Sequence, residues 1–121
     1  MNKYQALNEF YNSFDIPAYV ENAVPKNAVL PYITYEVITN SLSDSGTALS
    51  CQLWYKSNSF KEINAKSEEI CSALATGVKL QTDDGYIMLY RGTPLTQNIP
   101  DTEDTTIKGK LINIEADFIT I

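Results

Sequence analysis

The stretch "CQLWYKSNSFKEINAKSEEI", residues 51–70, passes from strand-type alternation into a helical pattern with only a few polar residues between. Leu49, Cys51, Leu53 and Tyr55 fall on one side of an extended chain, and Ala48, Ser50, Gln52 and Trp54 on the other. Beyond the polar break, Ser59 and Glu62 form an S-x-x-E pattern. This predicts a capping box, in which a Ser oxygen and a Glu carboxylate satisfy free backbone donors at a helix start. Phe60, Ile63, Ser67, Ile70, Cys71 and Leu74 then share one helical side, while Lys61, Glu62, Lys66, Glu68 and Glu69 lie largely on the other. Gly77 is placed to end that helix. A strand that runs directly into a helix able to fold its apolar stripe back onto it points to a layered α+β architecture.

The flanking segments extend this pattern. Tyr32 to Ile38 is rich in β-branched and aromatic residues, and the following TNSLSDSG cluster supplies turn chemistry, so this strand and Thr47 to Tyr55 form a hairpin with a long loop. Near the start, Tyr4, Leu7, Tyr11 and Phe14 recur at helical spacing with Phe10 beside them, predicting an amphipathic helix from Lys3 to Phe14 that Pro17 stops. Residues 18–31, which include Pro25 and Pro31, read as a connector. On the far side, Val78 to Leu80 and Tyr86 to Arg91 are two short strands about TDDG, where Asp84-Gly85 suits a tight turn. Gly92 to Gly109 has two prolines and the acidic run DTED and reads as a long loop. Lys110 to Ile121 closes as a strand, with Ile112, Ile114, Ala116 and Phe118 inside and Asn113, Glu115 and Asp117 outside. The expectation is one α+β domain over residues 1–121: a mainly antiparallel sheet of about five strands with two main helices packed on it.

Composition narrows the chemistry. The chain carries 15 acidic and 9 basic residues, net −6, which disfavours a surface that grips phosphate backbones. It has no histidine, the commonest general base and metal ligand. Cys51 and Cys71 form neither a disulfide framework nor a CxxC pair, and both read as buried small apolar residues. Asp83-Asp84 and the cluster Asp101, Glu103 and Asp104 sit in expected turns, where exposure gives a carboxylate no reason to shift its pKa. DTED lacks the oxygen spacing of a calcium loop. No nucleophile elbow or phosphate-binding glycine loop is present. No enzyme activity and no catalytic, cofactor or metal site is therefore expected. The absence of an apolar h-region or a long apolar run leads to the expectation of a protein of the reducing cytoplasm with no membrane partner.

What the sequence does carry is surplus apolar surface. The second faces of the strands hold Tyr32, Trp54, Tyr86, Met88, Tyr90, Ile119 and Ile121, more than a solvated face should show. Either the first helix covers this face within the chain or another subunit does. Candidate interface residues are Trp54, Tyr86 and Tyr90 on the face, with Pro94, Leu95, Ile99, Asp101, Glu103 and Asp104 in the expected loop.

With these elements placed, "PYITYEV" (31–37), "LSCQLWYKSNSFKEINAKSEEI" (49–70) and "KGKLINIEADFITI" (108–121) carry a resemblance. The chain from about residue 30 onward resembles the tail-terminator (tail-completion) proteins of long-tailed bacteriophages, a group that includes tail-to-head joining proteins. The likeness lies in the order and spacing of elements, and no motif residue of defined function carries over. It implies a structural α+β subunit forming a homo-oligomeric ring, commonly a hexamer, at the head-proximal end of the tail, built in the host cytoplasm and retained in the virion. Tail-tube and connector proteins would be its partners, and DNA would pass through a lumen whose acidic character repels it. Two alternatives stay open: another phage neck or minor capsid protein, and a small intracellular ligand-binding module using the aromatic face as its pocket.

Overall fold

The computed structural model describes residues 1–36, 47–99 and 103–121. Helix α1 (Lys3–Tyr11) starts at a capping box formed by Asn2 and Gln5: the Gln5 N–H donates to Asn2 Oδ1 and the Asn2 N–H to Gln5 Oε1, both at 2.9 Å. It runs on as a single 3-10 turn, Asn12–Phe14, ending at Asp15 in a left-handed conformation, φ 66°. Leu7, Phe10, Tyr11 and Phe14 are buried as the periodicity requires. Tyr4 is 49% exposed and does not join the buried row.

Among the described residues six strands form one mixed sheet: β1 (Ala18–Val20), β2 (Tyr32–Tyr35), β3 (Thr47–Lys56), β4 (Val78–Thr82), β5 (Gly85–Ile99) and β6 (Ile107–Thr120). Their order is β1-β2-β3-β6-β5-β4, with β1–β2 parallel and the other pairings antiparallel. The α+β class with two helices holds. The sheet has a sixth strand because part of the expected 18–31 connector, Ala18 to Val20, pairs in parallel with Ile33 to Tyr35. Val37 and Ile38 of the expected strand Tyr32 to Ile38, and the turn cluster that follows, lie outside the described residues.

Helix α2 (Lys61–Leu74) buries Ile63, Ser67, Ile70, Cys71 and Leu74, whereas Phe60 stays exposed at its cap position. The expected Ser59–Glu62 capping box does not form, since Phe60 occupies the cap and Glu62 falls on the second helical residue. Ser59 Oγ instead accepts from the Lys61 N–H at 3.4 Å. Gly77 takes a positive φ of 84° as the chain leaves the helix.

The largest departure concerns residues 92–109. These are mostly strand: β5 continues to Ile99 and β6 begins at Ile107. Gly92 and Pro94, two of the residues that suggested a loop, sit at a bulge, where Arg91 pairs with Ile114 and Thr96 with Ile112, so 92–95 face Asn113 alone; Pro100 lies outside the described residues. A bulge absorbs a proline that an unbroken ladder would reject.

One core joins both helices to the inward rows of the sheet: Leu7, Tyr11, Ile63 and Ile70 with Ile33, Leu53, Leu89 and Ile112. Helix α1 touches both edge strands, β1 and β4. Its 9 residues span about 14 Å, whereas six strands laid flat would be roughly 24 Å wide. The sheet is therefore curled around its core, with both helices on the concave side.

Candidate interaction surface

Because both helices pack on the concave face, the first helix does not cover the second one. Register places the residues of that convex face. Tyr32 opposes Trp54, Trp54 opposes Gly109, and Thr34, Gln52 and Leu111 follow in the next row. Further along, Tyr90 opposes Glu115, Met88 opposes Asp117 and Tyr86 opposes Ile119. Tyr19 joins from β1, its ring 5.8 Å from Tyr32 in an edge-on arrangement. Most of these side chains are half-buried by strand neighbours alone, and Tyr90 is 39% exposed.

Trp54 is fixed at one end of this face. Its indole Nε1 donates to Thr34 Oγ1 at 2.9 Å, and the Thr34 hydroxyl donates to Gln52 Oε1 at 2.7 Å. This chain satisfies the polar edge of the indole and leaves its apolar body facing outward. Gly109 makes room for it: a Cβ there would lie 2.8 Å from Trp54 Cζ3 and 3.1 Å from Ile99 Cβ. Two of the candidate residues, Trp54 and Ile99, thus meet over a glycine in β6.

Tyr86 and Tyr90 lie on the same face but toward the other end, with Lys79 Nζ 4.6 Å over the Tyr86 ring. Along β6, the positions opposite them are six and ten residues beyond Gly109, roughly 20–33 Å away. The face therefore has two aromatic ends, separated by the polar Ser50, Asn113 and Glu115.

The remaining candidates do not join it. Pro94 sits in the bulge, where its carbonyl accepts from Asn113 Nδ2 at 2.8 Å, and Leu95 packs against the core. Glu103 and Asp104 are exposed in the turn before β6; the hydrogen bonds from the Thr106 hydroxyl and N–H hold the Asp104 carboxyl below its usual range. Asp101 lies outside the described residues.

Sequence reasoning missed Thr34, Gln52 and Gly109, the residues that seat Trp54. Strand parity carried the signal for the first two, since both share Trp54's face once β2 and β3 are aligned. Gly109 was hidden by its assignment to a loop.

For chemistry the structure offers little. Among the described residues no three Cys, Asp or Glu side chains gather into a cluster able to hold a metal ion. Burial pushes the Cys51 thiol up to about 12, so it is held protonated and unreactive. No family model, no curated protein and no solved structure matches the chain.

Proposed function

We propose that this chain is a structural assembly subunit that ends tail-tube polymerisation and forms the head-proximal joint of a phage tail, acting as a homo-oligomeric ring. The observation that carries this reading is the convex sheet face, which both helices leave uncovered while it presents Tyr32, Trp54, Tyr86, Met88 and Ile119. Half-buried aromatic anchors on a rigid sheet suit protein contact, because little side-chain freedom remains to be lost on binding.

A ring needs two unlike patches on each subunit, and the convex face offers one of them. The β5–β6 hairpin offers a second contact, since its distal strands extend beyond β4, which pairs only with Gly85 to Leu89 of β5. A net charge of −6 suits a channel that DNA slides through without being gripped.

The test is light scattering and negative-stain imaging of the purified protein, alone and with tail-tube subunits. Rings that cap tubes and stop their growth are expected. A protein that stays monomeric at all concentrations and leaves tube growth unchanged refutes the proposal.

A further inference from the structure

The β5 bulge walls a cavity in the middle of the convex face, between its two aromatic ends. The cavity measures about 390 Å³ and is lined by Thr93, Pro94 and Gln97 of β5, Asn113 and Glu115 of β6, and Ala48 of β3. Its walls are fixed. A Cβ on Gly92 would lie 2.7 Å from the Asn113 carbonyl carbon, so the bulge rests directly on β6, and Asn113 Nδ2 is spent on the Pro94 carbonyl. Glu115 is the one charged residue of the lining, and its carboxylate has no ion-pair or hydrogen-bond partner among the described residues. Asp117 shares its side of β6 and adds negative charge, whereas Lys79, two strands away opposite Met88, is drawn over the Tyr86 ring. The cavity therefore favours a cation.

The chain also carries unmatched cations. Of its 9 basic side chains, all but Lys26 and Lys61 have a carbonyl, amide, carboxylate or aromatic ring of their own. Lys61 is followed directly by Glu62. Lys26 has no acidic residue beside it, since none occurs from position 22 to 31. It sits at the exposed tip of a turn that the Ala28 N–H closes by donating to the Pro25 carbonyl at 3.0 Å. Close by, Val29 is 78% exposed.

We infer that the turn at 25–29 of one copy docks on the convex face of the next, with Lys26 in the bulge cavity against Glu115 and Val29 beside Tyr90. Each contact has its own cause. A lone carboxylate in a walled cavity is matched by an ammonium that has no partner within its own subunit. Tyr90, which opposes Glu115 across the strands, supplies an exposed ring where an exposed valine can be buried. The inference rests on the proposed ring and supplies a direction for it: turn and cavity are unlike surfaces, so the contact runs head to tail, as a closed ring requires.

Charge reversal with rescue tests it, using light scattering across a concentration series and urea unfolding as a check on each protein. Glu115→Lys and Lys26→Glu should each raise the concentration needed for assembly about tenfold or more, because each sets like charges against one another. The double variant restores the pair in the opposite sense and should assemble within about threefold of the unmodified protein. Both positions are exposed, so the unfolding midpoints should stay together. An unmodified protein that stays monomeric overturns the ring and this contact with it. If the unmodified protein assembles, the contact alone is overturned when either single variant assembles equally well or when the double variant shows no rescue. Loss of assembly in Lys61→Glu but not in Lys26→Glu overturns it too, and assigns the cation to the start of α2.

Discussion

Replacing Gly109 by alanine tests how Trp54 is seated. The added Cβ would lie 2.8 Å from Trp54 Cζ3, 3.1 Å from Trp54 Cε3 and 3.1 Å from Ile99 Cβ. The first distance is shorter than real Cβ contacts allow, so the indole must move away. Overpacking of this kind costs about 1–3 kcal/mol. Moving the indole also strains its 2.9 Å hydrogen bond to Thr34, and losing that bond would add about 0.5–1.5 kcal/mol. Against this, alanine restricts the unfolded chain more than glycine does, returning about 0.4–1 kcal/mol. Taken at their mid-values, these terms leave a destabilisation of about 2 kcal/mol. Urea unfolding followed by fluorescence reads it directly, since Trp54 is the only tryptophan, and the native emission should shift as well. The decisive comparison is a double-mutant cycle with Trp54→Leu, monitored by circular dichroism. Without the indole, alanine at position 109 should cost less than half as much. An equal cost in both backgrounds, or a stabilised Gly109→Ala single variant, would refute the packing argument.

Three further outcomes follow from the same structure. Gly85→Ala should be far worse than Gly109→Ala, because its Cβ would fall 1.8 Å from the Ile119 carbonyl oxygen, a backbone atom that cannot rotate aside; a loss of about 3 kcal/mol or more in urea unfolding is expected. Asn12→Ala should cost about 1–2 kcal/mol, as Asn12 Oδ1 accepts from the Ala18 N–H at 2.9 Å and Asn12 Nδ2 donates to the Asn8 carbonyl at 2.9 Å; thermal unfolding measures it. The raised Cys51 thiol predicts alkaline sensitivity. Its folded pKa, about 12, exceeds the unfolded value of 9.0, so its contribution is complete below pH 9 and is lost as pH rises toward 12. Urea midpoints should fall across that window, and less steeply in Cys51→Val; parallel profiles for the two proteins would remove Cys51 from the explanation.

What the sequence disclosed depended on how local the cause was. The inward rows of β3 and β6 and the buried stripe of α2 were legible because period-two and period-3.6 patterns arise within one element. Strand β1 was not legible, since Ala18 to Val20 is too short to show a period and exists by virtue of pairing with Ile33 to Tyr35. The segment 92–109 misled for a related reason: its glycines and prolines are genuine breakers, but the bulge opposite Asn113 accommodates two of them within one hairpin. Strand parity placed Trp54 on the outer face correctly. What parity could not supply was topology, namely that α1 would join α2 on the concave side and leave that face open.

The strand edges bear on how a ring would close. At β1 the Ala18 N–H and carbonyl are both taken by the Asn12 side chain, and the Val20 carbonyl accepts from the Ala23 N–H at 2.8 Å. Beyond β4, the outer edge of β5 passes through the bulge, where Pro94 has no N–H to offer. Neither edge is suited to extending the sheet into a neighbour by backbone pairing, so the proposed ring contacts fall to the side chains of the convex face and of the β5–β6 hairpin. That assignment separates two variants. Tyr90→Lys keeps the fold, since Tyr90 is 39% exposed and opposes Glu115, and a change at such a site typically moves stability by no more than about 0.5 kcal/mol. It removes an aromatic ring from the face, so assembly measured by light scattering should weaken while unfolding is unchanged. Glu68→Lys, at an exposed position of α2 on the opposite side of the sheet, should leave assembly intact. If Tyr90→Lys assembles normally while Glu68→Lys does not, the convex face is not the contact.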